Sequence, residues 1–350
     1  MIVQFGTSRF LQAHVDLFAS EARDAGQDVP GITIVQTTDD AERAKRLAAF
    51  ADPAGFPVIV RGIEAGEPVE RTVRVRSVVD GVQATRDREA LITLIRDRAT
   101  HIVSNTGDLG YRVAPGSFPT ILHDALHARW QAGGAGVTML PCELVSRNGD
   151  VLRDTVAGLA ADAAFAAWLT RDCRWVNTLV DRIVSTPLEP AGAIAEPYAL
   201  WAVETQPGLA MPFTHPAIVL TDDLERFERL KLHILNLGHT WLADRWARAG
   251  AVPGVTVRAA IADPATRAAL EQVMAAEVVP GFAAHGLGEA AATYVATTLE
   301  RFDNPFLDHL LSDIHAHHPQ KIAKRVGGFV SWVGDGAALP ELRALAARGA

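Results

Sequence analysis

Ile2-Val3-Gln4-Phe5-Gly6-Thr7-Ser8-Arg9-Phe10-Leu11-Gln12-Ala13-His14 runs from a short apolar segment straight into glycine, then small residues, then a helical pattern. A strand that turns through glycine into a helix points backbone amides at whatever lies beyond the turn, and a pyrophosphate is the ligand such amides suit. Ser8 and Leu11 stand where the second and third glycines of the dinucleotide fingerprint would be. A plain strand-to-helix turn also accounts for Gly6. The candidate cofactor-binding residues here are Gly6, Ser8, Arg9 and Phe10.

Working outward, β-branched runs recur at Gly31 to Gln36, Val58 to Gly62, Val73 to Val79, Ile102 to Asn105 and Val137 to Leu140. Helical periodicity fills several gaps between them, as at Asp40 to Ala51 and Arg88 to Arg98. The alternation predicts an α/β chain, a Rossmann-type doubly wound sheet followed by a mainly α-helical substrate domain. Ser185 to Pro197 is rich in proline, glycine and small residues, which places the boundary near it: residues 1–190 for the dinucleotide-binding domain and 191–350 for the substrate and catalytic domain. The second strand is followed by Asp39 and Asp40. An acid at that point accepts hydrogen bonds from the adenosine ribose and repels a 2′-phosphate, so NAD is favoured over NADP. A helix N-cap is the other role Asp39 suits.

The charge balance narrows the partners. With 33 basic against 41 acidic residues and a net charge of −8, scattered along the chain, there is no footprint for nucleic acid or an anionic membrane. No apolar run approaches the ~20 residues of a membrane span, and no export signal precedes the first strand. Two cysteines far apart, Cys142 and Cys173, give neither a disulfide framework nor a zinc motif. A cytoplasmic protein acting on a small molecule is expected, with its oligomeric state left open.

The segment richest in chemistry is Lys231-Leu232-His233-Ile234-Leu235-Asn236-Leu237-Gly238-His239. On a regular helix Lys231, His239 and Asn236 fall at about 0°, 80° and 140°, while His233 points away at about 200°. A desolvated lysine serves as proton donor or acceptor at a reacting oxygen, and an amide and an imidazole hydrogen-bond that oxygen as charge develops. Such residues on a helix are also ordinary solvent-facing positions. His315, His317 and His318 crowd beside Asp313, but their spacing is that of no zinc motif, so no metal is expected.

The K-x4-N-x2-H arrangement at Lys231, Asn236 and His239, the opening Gly6 to His14 and Asn177-Thr178-Leu179-Val180-Asp181-Arg182-Ile183-Val184 together resemble the polyol-specific long-chain dehydrogenases, the mannitol dehydrogenase family. Pro141-Cys142-Glu143-Leu144, Asn148-Gly149-Asp150 and Ile102 to Thr106 are most similar to its tagaturonate reductase branch. The resemblance implies metal-free hydride transfer with NAD, Lys231 as general acid/base, and Asn236 and His239 as orienting groups. It also implies Asp39 as the acid selecting NAD, Asn105 on the cofactor side, and Asp181 and Lys321 beside the substrate. Mannitol dehydrogenases carry asparagine where Leu144 stands and arginine where Asp313 stands. The expected function is therefore NAD-dependent interconversion of a keto sugar acid, tagaturonate-like, and its hydroxy acid. The alternatives are a polyol 2-dehydrogenase acting on a neutral, mannitol-like sugar alcohol, and a catalytically silent NAD-binding sensor.

Overall fold

Ile2–Phe5 forms β1, buried at every residue, and the computed structural model, which describes residues 1–107 and 109–349, builds its first unit around it. The strands that follow are β2 (Ile32–Gln36), β3 (Phe56–Glu64), β4 (Glu67–Val75), β5 (Val78–Gln83), β6 (His101–Ser104) and β7 (Thr138–Pro141). After them come β8 (Arg174–Trp175), β9 (Thr178–Asp181), β10 (Val184–Pro187), β11 (Ala193–Ala195), β12 (Leu200–Glu204) and β13 (Ile218–Thr221). The main sheet has the order β5-β2-β1-β6-β7-β8, and every pairing in it is parallel. It is the doubly wound Rossmann-type sheet expected. The strand order reverses between β1 and β6, and a doubly wound sheet opens its ligand crevice at the carboxyl ends of those two strands.

Residues alternate faces along a strand, so β1 feeds two cores. Ile2 joins Leu17, Phe18 and Ile34 on one face, while Val3 and Phe5 join Leu91, Ile95, Leu122 and Phe165 on the other. Each fully buried side chain of this size contributes about 1.5–3 kcal/mol through water release. The amphipathic helices covering the faces include Val15–Asp24, Arg88–Asp97 and Phe118–Gln131.

Two stretches depart from the sequence expectation. Val58 to Gly62 and Val73 to Val79 do not extend the parallel sheet as two successive strands. Most of their residues lie in β3 and β4, neighbours in a separate sheet of order β10-β11-β3-β4. A turn at Ala65 and Gly66, both with positive φ, joins them, the conformation that suits a two-residue hairpin loop. The proline- and glycine-rich stretch after Val184 is no linker either. It forms β10 and β11, which pair antiparallel, and β11 then pairs in parallel with β3; β12 pairs with β9 and β13. The compact units consequently divide as Met1–Val60 with Glu70–Leu224, and Arg61–Val69 with Glu225–Ala350, later in the chain than the boundary at 190.

The second unit is helical. Its core gathers Ile234, Leu237, Trp241, Val278, Phe282, Phe302, Val326 and Phe329. Three of its helices are interrupted by π-turns, at Lys231–Leu235, Met274–Val278 and Ala323–Gly327. The hairpin tip belongs to this unit. The Gly66 amide donates to Glu300 at 3.0 Å and the Arg61 guanidinium lies 5.0 Å from the centre of the Phe306 ring. No helix among the described residues is long and apolar enough to cross a membrane.

Candidate active site

In the first unit the turn after β1 sits at the strand-order reversal. Gly6 has φ +113°, and a Cβ there would stand 2.4 Å from the carbonyl oxygen of Asn105. Only glycine permits both that backbone and that approach. The Gly6 amide donates to Val35 and the Asn105 amide to Phe5, both at 3.0 Å, so Gly6 and Asn105 stand side by side at the carboxyl ends of β1 and β6. Ser8 caps the short helix Arg9–Gln12 by accepting the Leu11 amide at 3.2 Å. The Arg9 guanidinium is tied down within the unit, 2.6 Å from Glu189 and 3.1 Å from the Gly192 carbonyl. Phe10 stacks on His14 at 4.8 Å.

The two acids after β2 take different places. Asp40 accepts the Glu42 amide at 3.0 Å at the start of the helix Ala41–Phe50, the N-cap position. Asp39 is exposed, with Gln83 and Thr85 at the long distances of 3.4 and 3.5 Å. The capping role thus falls to Asp40, and the Asp39 carboxylate stands at the open end of β2.

Beside Asn105, a buried polar network whose segments the sequence marked only by resemblance, with no role for Glu143 or Asn148, fixes the next two loops. Glu143 accepts from Ser104 Oγ at 2.9 Å and, at 3.0 Å each, from Thr106 N, Thr106 Oγ1 and Tyr111 OH. Burial pushes its carboxyl above the ordinary range, against the downward pull of those donors. Asn148 Nδ2 lies 3.1, 3.1 and 2.9 Å from the carbonyls of Pro141, Glu143 and Thr178, and its Oδ1 accepts the Thr178 amide at 2.9 Å. Each partner left unsatisfied in such a place costs about 1–3 kcal/mol. The nearby Asn105 Nδ2 donates to the Cys142 carbonyl at 2.7 Å. Asp181 closes β9, buried, opposite Leu200. Arg182 spends its guanidinium on the carbonyls of Ala13 and Glu196 at 2.6 and 3.0 Å, which makes it a brace of the fold.

In the second unit the structure changes the geometry of the Lys231 segment. The Asn236 amide donates to the carbonyl of Lys231, five residues back. A turn closed over five residues holds one more than an α-turn, and everything after it is set back by about 100°. Asn236 then comes to about 40° from Lys231 instead of 140°, and His239 to about −20° instead of 80°. The three fall in a narrower fan than a regular helix would give. Lys231 and Asn236 are half-buried and His239 is buried, its ring 4.6 Å from Phe302 and 4.8 Å from His309. Gly238 makes room for this packing, since a Cβ there would meet Met274 and Phe302 at 3.1 and 3.2 Å. His233 stays in the core against Phe329 and Trp332, its Nδ1 2.9 Å from the Arg325 carbonyl. Burial lowers its pKa to about 4, so the ring is neutral.

Lys321 donates to the carbonyl of Ile314 at 2.7 Å and, more weakly, to that of Asp313 at 3.4 Å. It thereby caps the helix Leu311–His315. His315 and His318 stack at 4.2 Å, and no group of three or more metal-ligating side chains among the described residues could hold an ion. Arg325, which no sequence motif marked, reaches the helix that carries Asn236 and Thr240. Its Nη1 donates to Thr240 Oγ1 at 3.0 Å and lies 3.4 Å from the Asn236 carbonyl. The only signal for it in the sequence is the basic spacing Lys321, Lys324, Arg325.

Comparison with known proteins agrees with this architecture. The profile of the mannitol dehydrogenase Rossmann domain matches residues 1–212, and that of the mannitol dehydrogenase C-terminal domain matches residues 223–331. The altronate oxidoreductase of Halalkalibacterium halodurans is 27% identical over 93% of this chain and 69% of its own length. That of Bacillus subtilis is 28% identical over 93% and 73%. Among solved structures, a D-sorbitol dehydrogenase in substrate-free form superposes with a TM-score of 0.84 at 21% identity, covering 99% of this chain and 79% of that one. The Pseudomonas fluorescens mannitol 2-dehydrogenase, in a complex with NAD and D-mannitol, gives 0.77 at 20%, over 99% and 77%. At those identities the two structures speak for the fold. Two family profiles covering both units decide the rest: the chain belongs to the mannitol dehydrogenase family of oxidoreductases.

Proposed function

We propose that this oxidoreductase uses NAD to interconvert a keto sugar acid of the tagaturonate type and the corresponding hydroxy acid. The observation that carries the chemistry is the π-turned helix, on which Lys231, Asn236 and His239 share one face. Lys231 gives a proton to the reacting oxygen in reduction and takes it back in oxidation. The Asn236 amide and the His239 ring hydrogen-bond that oxygen while it carries negative charge. Asp181 and Lys321 are the substrate-side residues of this reading.

The first unit fits the cofactor. Gly6, which can carry no side chain where it passes Asn105, makes the tight strand-to-helix turn that the first glycine of a dinucleotide-binding fold supplies. Gly6, Ser8, Arg9, Phe10 and Asn105 would line that end, and Asp39 would meet the adenosine ribose, with Asp40 holding the helix beside it. NAD supplies or accepts the hydride when bound. A sugar acid is favoured over a neutral polyol because the curated relatives named above are altronate oxidoreductases, and because Leu144 and Asp313 replace the asparagine and arginine of mannitol enzymes. The two cysteines are buried free thiols, which suits a reducing cytoplasm.

The test is to supply NADH deuterated at both C4 positions together with D-tagaturonate. The hydroxy-acid product should be one deuterium heavier, with the label on the new carbinol carbon. Unlabelled hydroxy acid would contradict hydride transfer from the cofactor. No turnover of D-tagaturonate, with the label instead entering the sugar alcohol when D-fructose is supplied in its place, would move the assignment to the polyol 2-dehydrogenase.

A further inference from the structure

We propose that Arg325, with Lys321 and the His309 ring beside it, forms a carboxylate-binding site on the helical unit, and that it receives the acid group of the substrate. This rests on the sugar-acid function proposed above and names the residue that selects for it.

Three observations carry it. Arg325 is half-buried, yet neither it nor Lys321 lies within salt-bridge distance of an acid among the described residues, whereas Asp244, elsewhere in the same unit, is shared by Arg248 and Arg348. A half-buried guanidinium is costly to leave without an anion. Next, Arg325 spends only Nη1 on the protein, on Thr240 and the Asn236 carbonyl. Its Nε and Nη2 make no hydrogen bond among the described residues, and that pair of donors matches a carboxylate in bidentate fashion. Finally, the site adjoins the reacting groups. Asn236 is one of them, and the ring of His239 packs on that of His309, whose buried Nδ1 has no partner among the described residues.

The groups feel one another electrostatically. Desolvation and then the Arg325 charge lower the pKa of Lys321. Desolvation lowers that of His309, with Asp313 opposing and Lys321 and Arg325 adding to the fall. Asp313 is exposed, and the exposed Lys324 adds a further positive charge to the same helical stretch. An arriving carboxylate meets net positive charge. Lys321, already committed to two backbone carbonyls, supplies field, and Arg325 supplies the directed hydrogen bonds.

The test is steady-state reduction of D-tagaturonate by NADH with wild type, Arg325→Met and Arg325→Lys. The methionine variant should raise KM roughly 10- to 100-fold, with kcat at saturation changed only a few-fold. The lysine variant keeps the charge without the fork and should lie between. Calorimetric binding of D-altronate to the NAD-loaded protein should weaken in the same order. If Arg325→Met does not fold, the lysine variant and the calorimetry still decide. A fall in kcat at unchanged KM, the signature of a mere brace for the catalytic helix, would overturn the inference alone. A wild-type protein that reduces no keto-uronate overturns it together with the function proposed above.

Discussion

Replacing Lys231 with alanine is expected to lower turnover by roughly 10²- to 10⁴-fold, the usual contribution of a positioned proton donor, while leaving the affinity for NADH nearly unchanged. The separation follows from where the parts lie. The nucleotide turn, Gly6 and Asn105 belong to the first unit and the π-turned helix to the second. A loss in kcat and kcat/KM together, with cofactor binding intact, is the signature of an interaction made in the transition state. In the proposed mechanism Asn236 and His239 orient the same oxygen, so their alanine variants should be impaired as well, and the double losses should not add. The π-turn gives this its geometric basis, since it narrows the angular spread of the three side chains. Rapid-mixing fluorescence titration of NADH alongside steady-state rates separates the two effects. Near-normal turnover of Lys231→Ala would remove the mechanism.

A second large change is expected at the other end of the cofactor. Asp39→Asn removes a negative charge from the exposed end of β2 without touching the helix cap, which Asp40 provides. An exposed carboxylate close to a 2′-phosphate repels each of its charges by about 1 kcal/mol, so the variant should narrow the preference for NAD over NADP by roughly 10- to 100-fold. Part of that comes from weaker NAD binding, as the ribose loses an acceptor. The ratio of kcat/KM values for the two cofactors reports the change. A wild-type preference for NADP would contradict the role given to Asp39.

Much of the first unit was legible because its physics is local. The buried run Ile2–Phe5, the glycine at position 6 and the periodic helix Arg88–Asp97 each carry a pattern that only one kind of element satisfies. The β3–β4 hairpin was not, because alternating β-branched residues look alike in a parallel strand and a hairpin arm, and only the Ala65-Gly66 turn separates the two. The stretch after Val184 misled for a related reason. Proline and glycine punctuate hairpins and linkers alike, and what made this one β10 and β11 was pairing with β3, more than a hundred residues earlier in the chain.

In the site, residue types were readable and their directions were not. Lys231, Asn236 and His239 stand out by chemistry, but a π-turn has no residue signature, so the regular-helix angles placed Asn236 about 100° from where the structure puts it. Glu143 and Asn148 sat in segments noticed for resemblance alone; their worth comes from carbonyls and amides brought together by β6, β7 and β9. Arg325 was invisible for the same reason, since its partners Asn236 and Thr240 lie some 85 residues away in sequence.

The most direct test of the central claim is a side-by-side measurement of kcat/KM with NADH for D-tagaturonate and for D-fructose, a keto sugar acid and a neutral ketose. The NAD-dependent sugar-acid function predicts turnover of the acid, with a kcat/KM well above that of the ketose. Turnover of the ketose alone, or of neither, would contradict it.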